Sequence, residues 1–362
     1  MTPAISVIMP VRNGAEWLAE AVVSVRAQDF SDFEFLIVDD GSDDSTAAML
    51  FGCAADDDRI CLLHQAAQGI VAALNNGIAA ARAPYVARLD ADDLAKPDRL
   101  AKQFAFMEAH PEVGLLGTFA ERIDAAGNVV GRLAPPTGGA RLARVLGRTN
   151  PFIHSSVMMR TALVRRLGGY RAAFRAAEDY DLWLRMAEAG GIANLADYLT
   201  QYRRHDSNLS RREAIRQSFS VRLAQRSAAG RRSSTSDPAG VLTAPPHWWA
   251  KEAETSFFAE DVGLYRLLDS DRLQGAQYIR AVSGRLGSLN HVERRLAQVR
   301  LKALLREIGS PIGPRHLWIA MLIAVLHPAR AIGLVWHSIV AGYVAATPNF
   351  ETPDKDNRGG RD

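Results

Sequence analysis

Residues 5–11, ISVIMPV, are apolar at every position except Ser6, a run of the length expected for a strand buried on both faces. After the Arg12-Asn13-Gly14 turn the apolar positions change period. Trp17, Leu18, Ala21, Val22 and Val25 fall on one side of a helix. The same alternation then repeats. Phe33 to Val38 is a second apolar run, and it ends in the polar stretch 39–46, from which another helix starts. Ile60 to His64 predicts a third strand, and Gly69 to Ala83 the helix that follows it. Pro84 to Leu89 predicts a fourth strand. Pro97 suits the first turn of a helix that carries Leu100, Phe104 and Met107 on one face to about Glu108, with His110-Pro111 ending it. Strands and helices alternating at this spacing predict an α/β fold, a mostly parallel, Rossmann-like, doubly wound sheet.

Beyond residue 112 the pattern loosens. Residues 113–133 predict an irregular β region with a hairpin turn at Ala125 to Asn128, and Pro135-Pro136 with Gly138-Gly139 an exposed loop. Asn150 to Arg160 predicts a strand entered through polar residues, followed by a helix to Leu167. In the helix around 178–186, Leu182, Leu184 and Met186 are packing positions. Tyr202 to Ser210 is a polar, basic loop, and between 203 and 232 arginines outnumber acids by nine to two. Such a run is usually a solvated helical face. It also suits phosphate groups, of a nucleotide or of an anionic lipid surface.

Residues 227–247, rich in Ser, Ala, Gly and Pro, read as a linker, and 248–308 as a helical extension without a catalytic constellation. Two apolar stretches, Leu317 to Leu326 and Ala331 to Ala346, flank Pro328 and Arg330, and each falls short of the roughly 20 residues that span a bilayer. A helical hairpin in the membrane interface fits them; a pair of core or dimer helices in a homo-oligomer is the alternative. The expected boundaries are 1–225 for the sheet domain, 226–247 for the linker, 248–310 for the helical extension, 311–346 for the apolar hairpin and 347–362 for a polar tail.

With 362 residues, 48% of them hydrophobic, the chain can bury one large core and carry an appendage. A net charge of +3 is too mild to argue for nucleic acid, and none is expected as a partner. Cys53 and Cys61 make neither a disulfide framework nor a metal-ligand set, which suits a reducing compartment. The first residues have no basic segment ahead of their apolar run, so cytoplasmic synthesis without export is expected.

Chemistry concentrates in two acidic corners, 39–44 and 90–93, both at carboxyl ends of predicted strands. That is the edge of a doubly wound sheet where ligands bind. Crowded carboxylates there call for a positive partner, and a nucleoside diphosphate with a hard divalent cation supplies one. Asp39 is placed to accept from a base ring N–H, and Asp90 and Asp92 to reach ribose and cation. The competing reading has Asp39, Asp40 and Ser42 capping the next helix. Glu178 and Asp179 open a third acidic group at a helix start, where negative charge is favoured whatever the function and where a desolvated carboxylate can act as a general base. His154, beside Ser155 and Ser156, is either a sugar contact or a satisfied structural histidine. Trp183 is either core or a sugar platform.

In order along the first 210 residues, the motifs Ser6-Val-Ile-Met-Pro-Val-Arg-Asn-Gly14, Val38-Asp-Asp-Gly-Ser-Asp-Asp-Ser-Thr46, Leu89-Asp-Ala-Asp-Asp93, His154-Ser-Ser-Val157, Gly168-Gly-Tyr170, Glu178-Asp-Tyr-Asp-Leu-Trp183 and Tyr202-Arg-Arg-His205 resemble a family 2 glycosyltransferase of the GT-A fold, of the bacterial surface-polysaccharide type. The resemblance implies nucleotide contacts from Pro10, Arg12, Asp39 and Asp90, and a Mn²⁺ or Mg²⁺ ion on Asp92 with His205 beside it. It implies Asp179 as the base of an inverting transfer, with Glu178 on the acceptor side, where His154 and Trp183 are also placed. The expected donor is a nucleoside-diphosphate sugar, UDP-sugar first, with dTDP- and GDP-sugars open. The expected acceptor is a glycan or a lipid-linked sugar, and the expected place the cytoplasm, peripherally on the inner membrane face. A sugar nucleotidyltransferase would need a Gly-rich phosphate loop after the first strand, where this chain has Arg-Asn-Gly-Ala. An inactive nucleotide-binding subunit would lack the D-x-D pair or the base, and the sequence retains both.

Overall fold

The computed structural model describes residues 2–205, 214–233 and 236–269, with positions 278, 282–284, 287, 289–290, 293–299 and 301. Its first strand, β1 (Ile5–Val11), is buried at every position because it has a parallel neighbour on each side. These are β2 (Phe33–Asp40), paired from Ile5↔Phe33 to Val11↔Asp39, and β4 (Tyr85–Arg88), paired from Ile5↔Tyr85 to Ile8↔Arg88. β3 (Ile60–Gln65) lies parallel to β2 on its other side. The connecting helices are α1 (Leu18–Arg26), α2 (Thr46–Ala55) and α3 (Ile70–Ala80), and α1 buries the predicted Leu18, Ala21, Val22 and Val25. α3 lies so close to β1 that a Cβ at Gly77 would come within 2.6 Å of Ile8 Cγ2.

The second half of the sheet is mixed. The strands are β5 (Leu94–Ala95), β6 (Val113–Ile123), β7 (Val129–Leu133), β8 (Met158–Arg160) and β9 (Gly191–Arg203), and the order across the sheet is β3-β2-β1-β4-β8-β6-β9-β5, with β7 on β6. β8 runs antiparallel to both β4 and β6, whereas β9 runs parallel to β6. The helices of this half are α4 (Arg99–Ala109), α5 (Gly139–Leu146), α6 (Thr161–Arg166) and α7 (Glu178–Ala189), followed by α8 (Ala214–Ser233) and α9 (Ala259–Leu268).

Several expectations change here. β5 and β9 were not anticipated: β5 is two residues long, and three register shifts along β6 and β9 blur the period of two in 191–203. α5 was not anticipated either: only Leu142 and Leu146 of its eight residues are buried, too few to show a helical period. The strand expected over 150–160 shrinks to Met158–Arg160. Ahead of it His154–Ser156 is a 3₁₀ turn, in which the Ser156 hydroxyl donates to the Ile153 carbonyl at 2.8 Å instead of the chain extending a ladder. α8 runs through the boundary expected at 225/226, so 226–233 is helix and not linker.

The arginine run is also less open than its composition implies. Arg226 pairs with Glu260 and Asp261, Arg231 with Glu188 and Asp237, and Arg203 is buried. Arg211 and Arg212 lie outside the described residues, as do the expected hairpin and tail at 311–362.

The chain divides into two compact units, residues 1–262 and 263–362. Within the second, Asn290 and Glu293 cap each other's backbone N–H groups at 2.9 and 3.0 Å, a capping-box geometry, and the Tyr265 hydroxyl donates to Glu293. Among the described residues no helix is long and apolar enough to cross a membrane.

α7 is fixed by an ion network beneath it. Asp181, wholly buried, accepts from Arg171 and from Arg185, and Arg185 reaches on to the carbonyls of Leu167 and Gly169 at 2.7 and 2.8 Å. Replacing Asp181 by Asn leaves two guanidiniums sharing a neutral partner. Urea unfolding should show a loss of about 3 kcal/mol, with Asp181→Ala at least as large.

Candidate active site

β4 delivers its last residue, Arg88, to the sheet edge, and the chain turns at once through Asp90–Asp93, closed by the Asp93 N–H on the Asp90 carbonyl at 3.2 Å. Carboxylate oxygens of Asp90, Asp92 and Asp93 lie within 4.8 Å of one another. Each has a different partner. Asp90 is gripped by both terminal nitrogens of buried Arg88 and accepts the Ser155 hydroxyl at 2.9 Å; Ser155 in turn accepts from Arg88 at 2.9 Å. Asp92 meets Nε2 of His205 at 2.9 Å. Asp93 is fully buried: one oxygen takes the Arg203 backbone N–H at 2.7 Å, and the other has no hydrogen-bond partner among the described residues.

Burial, reinforced by Asp90 and Asp92, pushes the Asp93 carboxyl well above its ordinary range. Burial and Asp90 raise Asp92 as well, opposed by His205. Three crowded carboxylates, an orphaned buried oxygen and an adjacent imidazole are a donor set that fits a hard divalent ion such as Mg²⁺ or Mn²⁺.

Asp39 and Asp40 end β2, and the alternation of a strand sends their side chains to opposite faces. One oxygen of Asp39 accepts the Ser42 N–H at 3.0 Å and the Ser42 hydroxyl at 2.6 Å; the other faces Nδ1 of His64, a side chain 70% exposed, at 3.1 Å. Asp40 accepts from Gln65, Gln68 and Gly69, each at 2.8 Å, and so holds the entry to α3. Neither one caps α2, whose first N–H, that of Thr46, goes to Asp44 at 2.9 Å. Asn13, in the left-handed region at φ 52°, ties this loop to the first one: its N–H donates to Ser42 at 3.0 Å and its amide to Asp43 at 2.7 Å. Pro10, buried opposite Val38, and exposed Arg12 therefore sit on the same edge as Asp39.

The third acidic group opens α7. Asp179 accepts the Asn150 amide at 2.7 Å and the Tyr180 N–H at 2.6 Å. Burial raises its carboxyl, against those bonds and the charge of Arg88. Glu178 is buried with one oxygen unpartnered among the described residues, and burial together with the Asp179 charge raises it to about 7. Gly168 and Gly169, at φ 77° and 65°, make the turn that leads into Tyr170, a conformation side chains resist. The Tyr170 hydroxyl, driven far up by burial, shares a hydrogen bond with Nε2 of His154 at 2.9 Å, and burial and Arg88 keep that imidazole neutral.

Trp183 corrects one expectation. It is 0% exposed, packed among Phe152, His154 and Tyr170, and presents no ring face to a sugar. Arg88, which pairs with Asp90 and whose charge also bears on Asp93, Glu178 and Asp179, was not singled out from the sequence. Its signal was there: an arginine ending an apolar strand, two residues before Asp90 and so on the same face of an extended chain. Asn150 and Arg203 were missed because their partners lie far along the chain.

Residues 6–168 match the family model described as Glycosyl transferase family 2. The putative glycosyltransferase EpsE of Bacillus subtilis is 36% identical over 217 residues, which are 58% of this chain and 76% of EpsE. The O-antigen biosynthesis glycosyltransferase WbnJ of Escherichia coli is 30% identical over 208 residues, 56% of this chain and 81% of WbnJ. Among solved structures, residues 1–349 of S. aureus TarS, in complex with UDP-GlcNAc, superpose with a TM-score of 0.55 at 17% identity, covering 91% of this chain and 92% of that one. The mannosyltransferase PcManGT of Pyrobaculum calidifontis, in complex with GDP-Man and Mn²⁺, gives 0.51 at 20% identity, covering 95% and 87%. These two likenesses establish a shared GT-A fold.

A carboxyl whose pKa is higher in the folded than in the unfolded chain favours folding at low pH and loses that contribution as pH rises through the folded value. For Glu178 the window runs from about 4.5 to about 7. Stability from this group should fall by on the order of 3 kcal/mol across it. Urea unfolding at pH 5 and pH 7.5 should show Glu178→Gln with a flatter pH dependence than the parent.

Proposed function

The chain belongs to glycosyltransferase family 2, and from that membership we propose a metal-dependent, inverting enzyme that moves a sugar from a nucleoside-diphosphate sugar to a hydroxyl of a glycan or lipid-linked acceptor. The observation that carries the reading is the meeting of the Asp90–Asp93 corner and the Glu178–Asp179 pair around one buried guanidinium, Arg88. In this reading the first group serves the donor and the second the acceptor, with one guanidinium electrostatically coupled to both.

In this reading Asp39 accepts the base ring N–H, with Pro10 and Arg12 beside it, and Asp90, its carboxylate oriented by Arg88 and Ser155, accepts from the ribose. Asp92, His205 and the free oxygen of Asp93 would hold Mn²⁺ or Mg²⁺, which when bound neutralises charge on the departing diphosphate. Asp179 takes the proton of the acceptor hydroxyl as that oxygen bonds to the anomeric carbon from the face opposite the diphosphate. The carbon–phosphate-oxygen bond breaks, and its electron pair leaves with the nucleoside diphosphate. Asn150 holds the base in place, and burial raises its carboxyl toward the working pH, where a general base is most effective. Glu178 lies beside it for the acceptor.

A UDP-sugar is the favoured donor, by likeness to a neighbour that binds UDP-GlcNAc, and surface-polysaccharide or lipopolysaccharide assembly is the favoured setting, by likeness to an O-antigen enzyme. Two free cysteines suit the reducing cytoplasm, and a lipid-linked acceptor would place the enzyme at the inner membrane face.

Calorimetric titration of UDP, dTDP and GDP should show one nucleotide bound tightly with Mn²⁺, weakly in EDTA, and hardly at all by Asp92→Ala. Asp179→Asn should keep that binding and lose 10²-fold or more in kcat. Binding of no nucleotide, or an Asp179→Asn enzyme of normal rate, would overturn the proposal.

A further inference from the structure

We infer that Trp17 and Arg203 are positioning residues of the donor site, holding the His205 imidazole against Asp92. The inference rests on the metal-dependent reading above and adds to it the means by which the corner acquires its nitrogen ligand. His205 follows the last strand by two residues and has no secondary structure of its own. Two of its contacts bear on the corner. Nε2 lies 2.9 Å from Asp92, and the ring packs on the Trp17 indole with centroids 4.1 Å apart and planes 32° from parallel.

Trp17 is firmly placed. The N–H groups of Trp17 and Leu18 both bond to the Gly14 carbonyl, at 3.2 and 3.0 Å, and the tight Asn13-Gly14 turn is tied to the second loop through Ser42, Asp43 and Thr46. The indole thus extends the nucleotide-side loops toward a histidine almost the whole domain away in sequence.

Arg203 secures the other side. Its side chain is 0% exposed, and each arm of the fork has a separate partner: Nε donates to the Asp92 carbonyl at 2.9 Å, Nη1 to the Ala125 carbonyl at 3.0 Å and Nη2 to Glu20 at 2.7 Å. Its guanidinium carbon lies 5.9 Å from the Trp17 ring, and its backbone N–H satisfies Asp93. The acidic turn, the β6–β7 hairpin and α1 are therefore bound to the strand end that carries His205. Three donors diverging from one plane suit a guanidinium; a lysine ammonium does not reproduce that fork.

The test measures Mn²⁺-dependent UDP binding by calorimetry on the full chain, with UDP in EDTA as the metal-free reference. Trp17→Leu and Arg203→Lys should each weaken the metal-dependent binding by about ten-fold or more, the effect expected when a ligand's orienting partner is removed. Trp17→Phe should restore it, and binding in EDTA should not change. In a His205→Ala background Trp17→Leu should add nothing, an outcome that general damage to the fold would not give. Independent, multiplying effects of Trp17→Leu and His205→Ala would overturn the inference, as would loss of UDP binding in EDTA, which would make Trp17 a nucleotide contact. If Asp92→Ala leaves Mn²⁺-dependent binding intact, the metal reading itself fails. If Asp92→Ala abolishes it and Trp17→Leu does not weaken it, only the positioning role fails.

Discussion

A guanidinium taken out of water must be paired, and Arg88 is paired with Asp90, the first carboxylate of the acidic turn. Its two terminal nitrogens and the Ser155 hydroxyl leave Asp90 little freedom to turn. Burying such a pair contributes little net stability, because desolvation offsets most of the Coulombic gain, while breaking it is costly. What the pair supplies is direction. It also places a fixed positive charge between two groups of acids that would otherwise repel one another at close range, and burial alone would hold those acids protonated.

A second guanidinium lies behind the first. Arg99, on α4, pairs with no carboxylate among the described residues; it donates to the Arg88 carbonyl at 2.6 Å and to Gln103 at 3.0 Å. Burial and the neighbouring Arg88 charge bring it down to about 9. The acidic corner is thus set on a buried basic floor, formed where β4 and the helix after the turn come together. Such a floor favours anionic groups above it before any cation arrives, and helps account for carboxylates that tolerate so much burial.

The sequence was most informative where a local pattern decides the structure. The apolar run Ile5–Val11 is β1 to the residue, the period of 3.6 in α1 buries the four expected aliphatic positions, and the acidic turn falls at a strand's end as its composition implied. It was least informative where the partner is remote. Arg203 reads as one arginine in a basic run, and only the parallel pairing of β9 with β6 reveals that it lies inside the molecule. Trp183 was ambiguous because an aromatic residue near a base suits either a sugar platform or a core; the rings of Phe152, His154 and Tyr170 decide for the core. His154 and Ser155, adjacent in the chain, serve different ends: one shares a hydrogen bond with Tyr170, the other accepts from Arg88 beside the acidic turn.

The pairing of Trp17 with His205 also bears on when the site comes into being. The residues matched by the family model stop at 168, and a ribosome that has released only those has made the four strands β1 to β4, the acidic turn and the loops after β1 and β2. It has not yet made β9 or the His205 beyond it, so one oxygen of Asp93 lacks the N–H it accepts and Asp92 lacks its imidazole. Contacts between positions so far apart close late, after the loop entropy between them has been overcome. The nascent chain therefore carries an incomplete acidic corner until the thirteen residues of β9 are added beside β6 and His205 follows them.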